Sequence, residues 1–301
     1  MSKQPLSGIS KRALLLINPH ARRGEASRLQ VTQRLQELGL DLVEESAEDP
    51  GKLPELIRKY GDRVDRVIIG GGDGTVNAAI AGLLDTHLPV GVIPLGTANN
   101  LARTLGIPQS PLAACEVIAQ DWTRSIDLGW VNGNYFLNVA GLGLSAKINQ
   151  RVPKQFKRRW GVIAYAVTAF RLILKQRRFH AEICCDGEVI QVKTLQITVC
   201  NGRFYGSGLT VAADADIDDH RLDLCSLEID HWWQALGLIP SVFRGEYATE
   251  QGMRLLQGRE IEIFTRKVRP IDTDGEITTQ TPATFRVIPG AIAVYVPKLR
   301  S

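Results

Sequence analysis

One segment constrains the chain more than any other: RVIIG (Arg66 to Gly70) runs straight into GGDGTVN (Gly71 to Asn77) and then into AAIAGLL. A short β-branched run reads as a buried strand, and the apolar spacing after it reads as a helix. Joined in this way they form one unit of a parallel sheet covered by helices. The glycines between them let the backbone turn sharply and let an anion approach the free N–H groups at the helix start. A tight turn is the plain alternative, but Gly70, Gly71, Gly72 and Gly74 with an Asp and a Thr among them exceed what a turn needs.

The same texture extends from Arg12 to Leu128. LLLIN (Leu14 to Asn18), DLVEE (Asp41 to Glu45) and PVGVI (Pro89 to Ile93) are further strand candidates. Leu29 to Leu38 and Val76 to Leu84 carry helical spacing, and Pro54 and Pro111 suit the first turn of two more helices. A doubly wound α/β domain is expected. After about Asn132 the pattern changes to NYFLNVA, HAEICC, TLQITVC, RLDLCSLE, REIEIFT and ATFRVI, alternating segments separated by Gly, Asp and Asn turns, which predicts a β-sandwich. Helices are expected only over roughly Ser145 to Arg178 and after Asp230. A length of 301 residues suits two cores, here residues 1–130 with the C-terminal segment 291–301 rejoining them, and residues 131–290.

Composition narrows the class. With 44% hydrophobic and 23% charged residues and no low-complexity tract, the chain is globular. Five cysteines without a C-x-x-C pair read as reduced thiols, which fits the cytoplasm. The N-terminus lacks a signal peptide's apolar run, and Gly161 to Leu174, interrupted by Arg171, is too short to span a bilayer. Contact with a membrane is therefore expected from the side.

A second loop, PLGTANN (Pro94 to Asn100), follows VGVI in the same strand-loop-helix arrangement, and two such loops at strand carboxyl ends make one crevice. Neither is G-x-x-x-x-G-K-[ST] or G-x-G-x-x-G. Gly141, Gly143 and Ala146 do spell a dinucleotide-like G-x-G-x-x-A, but the acidic residue expected about 20 positions on is missing, since the next acid is Glu182.

GGDGTVN, PLGTANN, NGRFYGSG, DADIDDHRLDL and DGE, in that order, resemble the diacylglycerol-kinase catalytic family, closest in pattern to the bacterial soluble lipid kinases. The resemblance implies an ATP- and Mg²⁺-dependent lipid kinase with a nucleotide-binding domain like that of NAD kinases and phosphofructokinases, and a β-rich lipid domain. It implies ATP contacts at Gly71, Gly72, Asp73, Gly74, Thr75, Val76, Asn77 and Thr97, with Ser46 a further candidate, and places Asn18, Pro19 and Gly24 beside the nucleotide. Arg22 and Arg23 in that opening loop either meet phosphate or stay solvated. Two family carboxylates are absent, since Ala78 and Asn100 stand where the family often has Glu and Asp. The magnesium network would then lean on Asp73 and Asp127.

For the acceptor, Asp274 of DGE (Asp274 to Glu276) resembles the family's catalytic base, with Glu276 the second candidate, whereas spacing alone reads as an Asp-Gly hairpin turn. The acidic loop from Asp214 to Leu224 is either a solvated turn or a cation site. The resemblance implies a structural Mg²⁺ held by Asp219 and the carbonyls of Leu222 and Leu224, with His220 where a glycine is common. From Lys147 to Arg178 there are ten Lys or Arg and no acid, interleaved with Phe156, Trp160, Tyr165 and Phe170. That stretch suits an anionic membrane or a solvated helix face; nucleic acid is not expected, because no binding motif accompanies it. A lipid hydroxyl is thus the expected acceptor. The rivals are an NAD-kinase-like enzyme acting on a soluble substrate and a regulator that has lost catalysis.

Overall fold

The computed structural model describes residues 11–144, 146, 177–202, 204–205, 209–210, 216–229 and 252–298. Two compact units divide the chain, residues 1–126 with 291–301, and residues 127–290.

In the first unit β1 (Lys11–Ile17), α1 (Gly24–Glu37), β2 (Leu40–Ser46), α2 (Leu53–Tyr60), β3 (Arg66–Gly71), α3 (Asp73–Thr86), β4 (Val90–Pro94), α4 (Asn100–Thr104) and α5 (Pro111–Ala119) succeed one another. The strands pair in parallel in the order β2-β1-β3-β4, and the end of the C-terminal strand joins β4 in parallel at Val294 and Val90. Burial on both faces explains the unbroken apolar runs of β1 and β3. Val31 and Leu35 of α1 and Cys115 and Ile118 of α5 cover Leu15, Ile68 and Ile93 on one face. α2 and α3 pack against each other so closely that a Cβ on Gly82 would lie 2.8 Å from Pro54 Cα. Pro54 and Pro111 sit in the first turns of α2 and α5, where a missing N–H costs nothing.

Arg66, 4% exposed, lies with its guanidinium 5.1 Å from the Tyr295 ring centre and Nη1 3.1 Å from Asp121 Oδ1. Lys11 Nζ donates to Asp121 Oδ2 at 3.0 Å. Burial raises the Asp121 pKa, but the Lys11 hydrogen bond and the Arg66 charge outweigh it and hold the carboxyl below its usual range. Burial also pushes Tyr295 up to about 12. A depressed carboxyl stabilises the fold above its unfolded pKa and ceases to do so as pH falls through the folded value. Asp121→Asn is therefore expected to lower the melting temperature near neutrality, and the gap from the native chain should close as both are melted at progressively more acid pH.

The second unit is built from β5 (Thr123–Val131), whose first residues belong to the first unit, β6 (Asn134–Phe136), β7 (Val139–Gly143), β8 (Phe179–Cys185), β9 (Glu188–Thr194), β10 (Gln196–Cys200), β11 (Phe204–Tyr205), β12 (Leu209–Thr210), β13 (Leu222–Leu227), β14 (Met253–Gly258), β15 (Glu260–Thr265), β16 (Pro270–Thr273), β17 (Glu276–Gln280) and β18 (Ala283–Tyr295). One antiparallel sheet runs β14-β13-β10-β7-β16-β17, and β18, β15, β8 and β9 pair in a second. Ala140, Leu142, Ile197, Val199, Leu222 and Leu224 of the first pack on Ile183, Ile261, Ile263 and Phe285 of the second. Alternating burial along β8 gives each strand one core face.

Both expected classes, the parallel α/β fold and the sandwich, are present. NYFLNVA is not one strand, because β6 ends at Phe136 and β7 begins at Val139. The helices expected over Ser145 to Arg178 and after Asp230, and with them nearly all of the basic stretch, lie outside the described residues. All five cysteines are free.

Candidate functional site

Ser46, Ile17 and Gly70 are register partners across β2, β1 and β3, and Gly71 pairs with Pro94, so both glycine loops leave the same edge of the parallel sheet. The order in which strands are added to the sheet reverses between β1 and β3, which is where such sheets bind ligands. The loops touch backbone to backbone: a Cβ on Gly96 would lie 2.5 Å from Gly72 Cα and 2.7 Å from Asn99 Oδ1. Gly72 is extended, and Thr75 N–H and Val76 N–H both donate to its carbonyl. Gly74 differs, since a Cβ there would meet nothing within 4 Å. Gly74 is exposed in the first turn of α3, where the free N–H groups of a helix start can meet an anion.

Asp73 binds the loops together. Its Oδ2 accepts from Asn100 N–H and its Oδ1 from Leu101 N–H, both at 3.0 Å, so it supplies the acceptor that the start of α4 lacks. Asn18 Nδ2 donates to Thr75 Oγ1 at 3.1 Å, tying the opening loop to α3. Asn99, at φ 50°, accepts from Gly96 N–H and donates to Gln109. Asn100 is 8% exposed, and its Oδ1 has no hydrogen-bond partner among the described residues. An orphaned amide oxygen beside Asp73 suits a hard cation or its water.

The sequence-derived candidates separate here. Gly71, Gly72, Asp73, Gly74 and Thr75 form one loop with Asn18, Gly96 and Asn100 around it. Thr97 is exposed on the second loop, and Ser46 is exposed at the end of β2. Val76 is 1% exposed, so only its backbone faces the loop. Gly96→Ala, whose new Cβ meets backbone, is expected to cost about 1–3 kcal/mol and lower the melting temperature. Gly74→Ala should melt like the native chain yet weaken nucleotide binding in a titration.

In the second unit Asp274 (φ 48°) and Gly275 (φ 92°) form the two-residue turn between β16 and β17, with Thr273 opposite Glu276. Positive φ at both positions is the geometry that Asp-Gly favours. The Asp274 carboxylate reaches out of its turn to the break between β6 and β7. It accepts from the N–H groups of Leu137 (2.7 Å), Asn138 (3.0 Å) and Val139 (3.1 Å), and from Asn138 Nδ2 (3.4 Å). Glu276, two residues on, is exposed. Asn138, not singled out in the sequence, and Asn201, which opens the NGRFYGSG motif, are each 2% exposed beside this clamp, and Asn201 Nδ2 donates to the carbonyls of Asp127 and Leu137.

Asp127, expected in the magnesium network, is 1% exposed and engaged within its own unit. Its Oδ2 accepts from His220 N–H (2.7 Å), and its Oδ1 from Gly290 N–H (2.7 Å) and lies 3.1 Å from His220 Nδ1. These bonds explain how His220 holds φ 61° where a glycine is common. Asp219 Oδ1 accepts from Arg221 N–H, and Leu222 and Leu224 bury their side chains in the core. Among the described residues no three His, Cys, Asp or Glu side chains gather as a metal set. An ion in this loop would draw on backbone carbonyls.

Residues 12–131 match the diacylglycerol kinase catalytic domain, and residues 138–296 match the YegS C-terminal NAD kinase beta sandwich-like domain. The chain belongs to the diacylglycerol kinase family. It is a lipid kinase by that membership. It is 29% identical over 294 residues to the diacylglycerol kinase of Bacillus subtilis (strain 168), covering 96% of this chain and 97% of that one. To the diacylglycerol kinase of Mycobacterium tuberculosis (strain ATCC 25618 / H37Rv) it is 29% identical over 276 residues, 88% of each chain. A solved structure of a diacylglycerol kinase from Bacillus anthracis str. Sterne superposes with a TM-score of 0.81 at 25% identity, covering 95% of this chain and 97% of that one.

Proposed function

We propose that the chain transfers the γ-phosphoryl group of ATP to the hydroxyl of a membrane lipid, diacylglycerol or a related lipid alcohol such as phosphatidylglycerol. The observation that carries this reading is the exposed first turn of α3 at Gly74, tied to the second loop by Asp73. Phosphoryl transfer needs mainly positioned phosphates, neutralised charge and an aligned acceptor. ATP would lie along Gly71 to Asn77, with Thr97 and Ser46 at its margins. Mg²⁺, when bound, neutralises charge on the phosphates, and Asp73 with the unpartnered Asn100 oxygen would hold it. That oxygen is why the missing family carboxylate does not by itself argue for a regulator without catalysis. A second, structural ion would sit at Asp219 and the carbonyls of Leu222 and Leu224.

The DGE turn supplies the base, and its geometry favours a division of labour. Asp274 spends its carboxylate on the backbone of residues 137–139, whereas Glu276 is exposed. Glu276 is therefore assigned the acceptor proton and Asp274 the shape of the turn. Names of relatives favour diacylglycerol as the substrate. No helix among the described residues is long and apolar enough to cross a membrane. We assign the chain to the cytoplasmic face of the membrane on the ten Lys and Arg between Lys147 and Arg178, which would hold it peripherally. A panel of diacylglycerol, phosphatidylglycerol and sphingoid bases in mixed micelles, with NAD as the soluble rival, tests the substrate class. Phosphorylation of one of the lipids is expected, and turnover of NAD in preference to all of them would overturn the reading.

A further inference from the structure

The break between β6 and β7 leaves the backbone of residues 137–139 to be held from both sides. Its three N–H groups all donate to the Asp274 carboxylate. The carbonyls are met as well. Val139 O accepts from Asp274 N–H at 2.8 Å, Asn138 O from Asn201 N–H at 2.9 Å, and Leu137 O from Asn201 Nδ2 at 3.1 Å. Asp274 thus takes the donors of the segment and Asn201 two of its three acceptors. The other Asn201 Nδ2 hydrogen goes to the Asp127 carbonyl on β5 at 2.9 Å, so one side chain, 2% exposed, anchors the segment to a neighbouring strand. Its orientation is fixed, because the reverse would set Oδ1 against two carbonyl oxygens. Among the described residues that Oδ1 has no donor. A buried oxygen left so costs stability, and the side chain therefore stabilises the fold by less than its two donated bonds suggest.

We infer that Asn201 is a positioning residue for phosphoryl transfer, which fixes the DGE turn, and with it Glu276, through residues 137–139 and Asp274; the inference rests on the reading that this turn carries the base. The path is short and contiguous. Asn201 holds the carbonyls of residues 137 and 138, Asp274 grips the N–H groups of the same residues, and Gly275 alone separates Asp274 from Glu276. Thr273 pairs with Ala140 on one side and with Glu276 on the other, so a shift of the clamped segment also reaches Glu276 across the sheet. A general base works only within hydrogen-bond reach of the proton it takes. Misplacing it by about 1 Å can cost about a hundredfold in rate.

The test is a double-mutant cycle on the purified full chain, with kcat and the KM for Mg-ATP measured in diacylglycerol mixed micelles for the native protein, Asn201→Leu, Glu276→Gln and the two combined. Asn201→Leu keeps the size of the side chain and the backbone N–H but removes both amide donors. It is expected to lower kcat about tenfold and to leave the KM for Mg-ATP unchanged, since the glycine loops belong to the other unit. Residues that act as one are not additive. The combined variant should therefore turn over no more slowly than Glu276→Gln alone, while its melting temperature falls by what Asn201→Leu costs the native chain. Asn201→Ser, smaller and able to donate to one carbonyl, should lie between Leu and native, and it carries the same cycle if Asn201→Leu does not fold. Unchanged kcat in Asn201→Leu, or a further tenfold loss on top of Glu276→Gln, would overturn the inference. Full activity in Glu276→Gln would instead sink the base assignment. The cycle is then read against Asp274→Asn, where a further loss overturns the role of Asn201 and no further loss upholds it.

Discussion

Glu276→Gln is expected to lower kcat by about a hundredfold or more while leaving the melting temperature unchanged. The side chain is exposed, and Gln keeps its size while losing the base. Asp274→Asn should behave differently. Asn tolerates the positive φ of the turn, but its single acceptor oxygen cannot serve the three N–H groups of residues 137–139. A buried donor left unpaired costs about 1–3 kcal/mol, so this variant should melt several degrees lower and lose activity as well. Measuring kcat and melting temperature for both variants separates the roles. Full activity in Glu276→Gln, with loss in Asp274→Asn, would return the base to Asp274.

The second large effect is expected at Asp73. Asp73→Ala removes the acceptor for two N–H groups at once and frees the second glycine loop from the first. Phosphoryl transfer should fall below detection, and because hydrogen bonds to a charged group are worth about 1.5–3 kcal/mol each, the melting temperature should fall too. Asp73→Asn keeps one of the two bonds, so it should melt between the native chain and Asp73→Ala yet stay inactive. Activity that simply tracked stability through this series would reduce Asp73 to a structural tie.

The parallel sheet was legible because β1 and β3 are buried on both faces and so are written as unbroken apolar runs. The sandwich was legible because its strands bury one face and alternate. The Asp-Gly turn was legible too, since its two positive φ angles demand those residues. Contacts between distant parts of the chain were not. Nothing local marks Leu137 and Asn138 as the end of a strand: the alternation of NYFLNVA continues through them, and the interruption coincides with the carboxylate of Asp274 capturing their N–H groups. Likewise the family resemblance placed Asp127 in a magnesium network, and its hydrogen bonds to His220 and Gly290, from elsewhere in the unit, were not legible locally. The pairing of Asp73 with residues 100 and 101 was hidden for the same reason, because sequence spacing records which loops share a sheet edge and not which atoms meet across it.

Lipid phosphorylation is tested most directly by incubating the purified chain with γ-labelled ATP, Mg²⁺ and diacylglycerol in mixed micelles and following the label into the organic phase. The account predicts that label accumulates in a lipid phosphate in proportion to ATP consumed, and that Asp73→Asn abolishes it. Label released only as inorganic phosphate, or carried into a water-soluble product while the lipid stays unlabelled, would contradict it.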